Sequence, residues 1–314
     1  MNFDLTEDQL ALRDGIRALC RGRFNSERIR KGFDRDTFDE LSGTGVFSLR
    51  ADGFGWAEAA ITFEELGRAA VPGPLVWSHL GHGLVDGVLT GVARRAPGAT
   101  VVVEHLALAD AVLVLDDDGV TRIGPEALAD AAALDWPLDP LTPVHRVEAL
   151  PEGERVAGPD VLDEWRRGGA VLTSAFQIGM AQACTEAATQ YALVRFQFDR
   201  PVGSFQAVKH MLADMVVRAE VARAAVHAAA VTLDDPGVGD VDRAVSGARL
   251  LAGEAALTNA KSSLQVHGGI GFTWESDVHL YLKRAWVLNT AFGTASEHAD
   301  TLAARLSGPR DGGG

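Results

Sequence analysis

What most limits the possible folds of this chain is the helix-forming sequence of its second half. Over 162–196, 205–233 and 241–266, and in two shorter stretches between 276 and 306, Ala, Leu and Val recur at helical spacing. Long amphipathic helices joined by short links bury their apolar stripes against one another, so this half predicts an antiparallel four-helix bundle. In segments such as 170–180 and 222–231 apolar residues extend around much of the helix circumference. One bundle core cannot cover that second stripe, and a large bare apolar patch is rare on a monomer. The helices therefore also predict a subunit interface.

The first half has a different texture. Thr6 and Gln9 form a capping-box pair, with Leu5 and Leu10 at the staple positions, for a helix running to about Arg23. Helical stretches follow at 36–42, stopped by Gly43, and at 58–70, ended by Val71-Pro72-Gly73-Pro74. Residues 75–89 read as a fourth helix, weakened by Gly81, Gly83 and Gly87. β-rich runs then occupy 99–106 and 111–115, Asp118-Gly119 reads as a type I′ hairpin turn into 120–123, and 143–150 reads as a further strand. The expected organisation is mainly α with a small β domain. It comprises an N-terminal helical domain (1–97), a β domain (98–158) running into a linker (151–159), a C-terminal helix bundle (159–308) and a disordered tail (309–314).

Charge and cysteine usage exclude several classes. The 314 residues include 29 Lys and Arg against 43 Asp and Glu, a net charge of −14. Such acidity disfavours nucleic acid and anionic membrane as main partners, although a local basic pocket for a phosphorylated ligand remains compatible with it. Cys20 and Cys184 have neither a disulfide-scaffold nor a metal-ligand spacing, so no metal is expected. The opening residues lack the pattern of a secretory signal, and no apolar run approaches the roughly 18 residues of a membrane span. A cytoplasmic location is the expectation.

Three segments carry more information. One is Arg195-Phe-Gln-Phe-Asp-Arg-Pro-Val-Gly-Ser-Phe-Gln-Ala-Val-Lys-His210, between two long helices. The second is Gln265-Val-His-Gly-Gly-Ile-Gly-Phe272, ending another. The third is Leu280-Tyr-Leu-Lys-Arg-Ala285, followed by Gly293-Thr294. Each alone has an ordinary explanation: a helix stop, solvated glutamines, a surface arginine. Together and in order they resemble the acyl-CoA dehydrogenase family. The opening Asn2-Phe3-Asp4-Leu5-Thr6-Glu7-Asp8-Gln9, Glu64-Glu65-Leu66-Gly67-Arg68 and Ala109-Asp110 are similar to further family segments, so the resemblance spans nearly the whole chain.

The resemblance implies FAD bound between subunits, with one subunit's bundle holding the ADP half. Carried over residue by residue, Arg195 matches the arginine that meets the pyrophosphate. Gln197 and Phe198 lie beside it, Phe205 and Gln206 match the next contacts, and Gln265, Val266, Gly268 and Gly269 match the stretch against the ADP moiety. Thr294 is counted with the cofactor contacts. Guanidinium pairs well with phosphate, and glycines admit backbone N–H groups to an anion. Asp199 departs from the pattern, which has Gly there.

The family's chemistry needs a carboxylate to take the α-proton of an acyl thioester. That glutamate normally precedes the Gly-Thr pair, where this chain has Phe292. The alternative base position, early in the bundle's first helix, falls at Gly169. Neither residue can act as a base. The family's Thr-Glu-Pro-like segment and its Trp/Thr strand are also missing from 98–158; Trp136 reads as a loop residue. Glu275, Asp277 and Glu297 read as solvated carboxylates, and His210 and His267 as structural or phosphate-side residues.

One half of a functional site is thus present and the other eroded. The chain is similar to the short, base-lacking subunits of actinobacterial α2β2 acyl-CoA dehydrogenases acting on steroid side-chain thioesters. This implies an accessory subunit sharing FAD with a longer catalytic partner that binds the acyl-CoA. A self-sufficient homo-oligomeric enzyme with a relocated base, and a non-enzymatic bundle protein, are the alternatives.

Overall fold

Residues 5–93 and 100–307 are described by a computed structural model. Its N-terminal part contains α1 (Glu7–Arg23), α2 (Ser26–Arg30), α3 (Arg35–Gly43), α4 (Trp56–Arg68) and α5 (Leu75–Gly81). The Thr6–Gln9 capping box is present in both directions, at 3.1 and 3.2 Å. The expected fourth helix ends at Gly81, and Leu89–Val92 is instead the first strand, β1. The glycines account for this. Gly83 and Gly87 have φ of +81° and +99°, a backbone that continues no helix.

The β region follows, with β2 (Val101–Glu104), β3 (Ala111–Leu115), β4 (Val120–Ile123), β5 (Ala132–Asp135), β6 (Val144–Val147) and β7 (Glu154–Ala157). Two sheets form, ordered β1-β3-β4-β7 and β2-β6-β5. Their shared core includes Val103, Val112, Val114, Leu128 and Val147. β1 pairs parallel to β3, so the sheet begins inside the stretch expected to be helical. β7 lies where a linker was expected. The β3–β4 hairpin exists, but its turn is not type I′, because none of residues 116–119 has positive φ. Gly119 is small for another reason: a Cβ there would collide with Arg155 and the Ala157 carbonyl of β7.

The second half is as expected, with α6 (Pro159–Val194), α7 (Gln206–Asp234), α8 (Val241–His267), α9 (Val278–Leu288) and α10 (Ala295–Ser307). The expected tail, 309–314, lies outside the described residues. A short hairpin, β8 (Phe196–Gln197) with β9 (Arg200–Pro201), links α6 to α7. Helix α4 is buried along most of its length and crosses α6 at two glycines. A Cβ on Gly67 would strike the Phe176 backbone, and one on Gly179 would strike the Glu64 backbone. At this crossing Glu64 accepts from Arg223 Nε (2.8 Å), His227 Nε2 (2.8 Å) and Gln182 Nε2 (3.0 Å). Glu65 accepts two bonds from Arg17 of α1, at 2.8 and 2.7 Å. Paired carboxylates therefore lock α4 to α1, α6 and α7. Burial alone would raise the Glu64 pKa; His227 and Arg223 outweigh it and hold the carboxylate at about 2. No helix among the described residues is long and apolar enough to cross a membrane.

Candidate functional site

The two positions at which a base was sought lie against each other. Gly169 is on α6 and Phe292 in the turn between α9 and α10, yet a Cβ built on Gly169 would come closer than 3.0 Å to three atoms of the Phe292 ring. On its other side that ring meets Trp77 of α5, with centroids 4.8 Å apart. Trp77 in turn lies on Gly91 of β1, where a Cβ would also collide. Phe292 and Trp77 are both buried. The place where a carboxylate would work is thus filled by two aromatic rings seated on glycines. Gly168, the neighbour, is occluded in the same way by the Trp56 ring.

The turn that aims Phe292 inward is held firmly. Phe292 has φ +52° and Gly293 φ +106°. A β-carbon in the left-handed region is unfavourable, so contacts must hold it there. His298 Nε2 lies 3.1 Å from the Phe292 carbonyl, and its Nδ1 lies 3.3 Å from Ser246 Oγ. Burial lowers the His298 pKa, which favours the neutral ring that donates to the carbonyl and accepts from the hydroxyl. Thr294 and Glu297 form a capping box that starts α10, at 2.9 and 3.3 Å. Glu297 is therefore a cap rather than a free surface carboxylate. Below the turn, buried Arg249 donates to the Ala291 carbonyl (2.8 Å) and to that of Leu288, and to Gln177 Oε1 (2.5 Å). Burial lowers its pKa to about 10. Arg249 and Gln177 carried no sequence signal, being single polar residues on apolar helices.

A cleft of about 900 Å3 opens beside this turn, lined in part by Arg166, Arg167, Ala170, Ser246, Phe292 and His298. Three of the five carboxylates lining it are engaged elsewhere. Asp242 pairs with Arg167 (3.0 Å) and with Arg305, Asp118 with Arg155 (2.5 Å), and Glu297 with Thr294. A general base must reach a substrate proton directly or through one water. In this cleft none of these three has that freedom.

The other candidate residues gather at one end of the bundle. The α6 helix closes with Arg195 N–H donating to the Tyr191 carbonyl (2.9 Å), and the Tyr191 ring stacks on His267 at 4.3 Å. Arg195 is thereby brought to the end of α8, where Gln265, Val266, Gly268 and Gly269 lie. His267 Nδ1 is 2.8 Å from the Ser263 carbonyl, a structural engagement. Phe198 and Asp199 have φ of +54° and +61°, so the β8–β9 hairpin turns through a type I′ geometry built from two residues with side chains. That explains why glycine suits position 199. Phe205 stacks under Arg200 at 4.0 Å, and Gln206 lies 3.2 Å from His210. Arg195, Gln197, Phe198, Gln206 and Gln265 are exposed, whereas Phe205 and Val266 are half-buried. Gly268 has φ +63°, which requires glycine. Gly269 has no such requirement, and among the described residues, its chain neighbours aside, no atom lies within 4 Å of the place its Cβ would take. Thr294 is not part of this group; it lies in the turn with Phe292.

Comparison with known proteins gives a consistent result. The profile described as acyl-CoA dehydrogenase, C-terminal domain, matches residues 167–307. The acyl-CoA dehydrogenase IpdE2 of Mycobacterium tuberculosis is 38% identical over 248 residues, 73% of this chain and 71% of that protein. IpdE2 of Mycolicibacterium smegmatis is 30% identical over 96% of this chain and 100% of its own length. Among solved structures, the ChsE4-ChsE5 complex from M. tuberculosis matches with a TM-score of 0.84 at 24% identity, over 98% of this chain and 100% of the matched chain. A steroid acyl-CoA dehydrogenase variant, Tcur3481-Tcur3483, matches with a TM-score of 0.82 at 22% identity, over 96% and 98%. These structural likenesses speak to the fold.

Proposed function

The chain belongs to the acyl-CoA dehydrogenase family, and from that premise we propose that it is the base-lacking accessory subunit of a heteromeric, FAD-dependent acyl-CoA dehydrogenase. The observation that carries this reading is the Trp77–Phe292–Gly169 contact. Both places for a base are consumed in packing, and the rings leave no room for an acyl chain between them. The same contact counts against a self-sufficient enzyme with a base at either position.

The end of the bundle supports the other half of the proposal. Arg195 is exposed and, among the described residues, Gly269 is open to approach from outside. Those features fit the ADP half of an FAD approaching from outside. In this reading Arg195 pairs with the pyrophosphate, Gly268 and Gly269 admit it to the backbone, and Gln197, Phe198, Phe205, Gln206, Gln265 and Val266 border the adenosine side. Bound FAD supplies the hydride acceptor for α,β-desaturation. The longer partner supplies the flavin-ring cradle, the base and the acyl-CoA site. An acyl-CoA of steroid degradation is the proposed substrate class, because the structural relative Tcur3481-Tcur3483 is a steroid acyl-CoA dehydrogenase.

The test is co-expression with longer acyl-CoA dehydrogenase chains of the same organism. The reading expects a yellow complex that turns over and a lone chain that does not. A lone chain with its own flavin and steady turnover would overturn it.

A further inference from the structure

The β2-β6-β5 sheet has one sealed edge and one bare edge. β2 is closed off by the neighbouring sheet, where Thr90 Oγ1 of β1 donates to the Glu104 carbonyl at 2.6 Å. β5 has β6 on one side and, among the described residues, no strand on the other. Leu134 is opposite His145, which is opposite Val103, so Leu134 shares its face of the sheet with Val103 and Val147. Those two valines are fully buried, yet Leu134 is 74% exposed. Trp136 and Leu138, which follow, are 92% and 56% exposed. The core-facing side of the sheet is therefore uncovered at β5, beside an open strand edge.

We propose that β5 and Trp136 dock an extended segment of the longer dehydrogenase subunit, which adds a strand to β5 and covers Leu134 and Trp136. This rests on the heteromeric reading above. Charge selects the occupant. Residues 126–138 contain Glu126, Asp130 and Asp135, all exposed, and no Lys or Arg; the basic group beside them is Arg146 of β6, 4.0 Å from Asp135. Two copies of this chain joined edge to edge would set these acidic segments against each other, which disfavours self-pairing. The covering strand comes from a different chain, with Lys or Arg flanking its apolar residues. Backbone pairing supplies its affinity and the alternating apolar contacts its register. A bare tryptophan beside an open edge is an aggregation hazard, so the cover is a standing member of the assembly and not a transient visitor.

The experiment uses the assembled, flavin-containing complex. A photoreactive phenylalanine analogue at position 136 should cross-link to a Lys- or Arg-bearing peptide of the longer subunit. Those amides of 132–135 that point away from β6 should exchange at least tenfold more slowly in the complex than in the lone chain. Trp136→Lys, an exposed change outside the core, should weaken assembly at least tenfold. A yellow complex in which the β5 amides that point away from β6 exchange freely and position 136 reaches nothing would overturn the docking proposal and leave the heteromeric reading intact. Cross-linking to a second copy of this chain would also overturn it. Failure of any longer dehydrogenase to form a complex would remove both.

Discussion

Exchanging Phe292 for Gly should reverse the effect of a methyl group placed 123 positions earlier in the chain, at Gly169. With Phe292 present, the Cβ of Gly169→Ala falls closer than 3.0 Å to the ring. The ring cannot retreat, because Trp77 backs it at 4.8 Å. Overpacking of this kind costs about 1–3 kcal/mol. Phe292→Gly alone removes a buried ring, worth about 3–5 kcal/mol. It also relieves a left-handed φ of +52°, worth about 1 kcal/mol, for a net loss of about 2–4 kcal/mol. In that background Gly169→Ala meets empty space in a helix interior, where Ala is better than Gly by about 0.5–1 kcal/mol. The double variant should therefore be more stable than Phe292→Gly, with a coupling of about 1.5–4 kcal/mol. Calorimetric melting of the assembled protein reads this at roughly 2–4 °C per kcal/mol. An equal loss from Gly169→Ala in both backgrounds would refute the contact on which the functional reading depends.

Three further outcomes follow from the same structure. Phe292→Glu should restore no turnover to the lone chain in a dye-coupled assay, since the carboxylate would face Trp77 and Gly169. Arg195→Ala should weaken flavin retention by the complex about ten- to a hundredfold, the loss of a charge-assisted contact of roughly 1.5–3 kcal/mol, and Gly269→Val should do likewise; full flavin in both variants would show the assignment to be wrong. The Glu64 carboxylate is held at about 2 against an ordinary 4.5. Its depressed pKa contributes stability that is complete above pH 4.5 and lost as pH falls towards 2, roughly 3 kcal/mol in all. Acid unfolding of Glu64→Gln should be correspondingly flatter over that range.

The long helices were legible because their apolar spacing is continuous over several turns, and the Thr6–Gln9 cap because it is a local pattern. β5 and β7 were not legible. Each is four residues long with no fully buried residue, and neither shows an alternation to betray it. The Gly81–Gly87 stretch was recognised as a weak helix, but its positive φ values belong to the turn that feeds β1. At the candidate site, Phe292 and Gly169 are each recognisable in the sequence as residues that cannot act as a base. Their mutual contact is not, because it joins distant positions. The hint was the Gly168-Gly169 pair inside a helix, a costly choice that only the rings of Trp56 and Phe292 explain. Arg249, which holds the α9–α10 turn from below, left no trace in periodicity.

In the proposed assembly one half of a shared site belongs to this chain and the other half to a partner. Flavin stoichiometry of the purified complex, by native mass measurement with the protein-bound absorbance, tests it most directly. The account predicts one FAD per pair of unlike chains, with none retained by the lone chain. Two flavins per pair, or a flavin-loaded lone chain that turns over substrate, would contradict it.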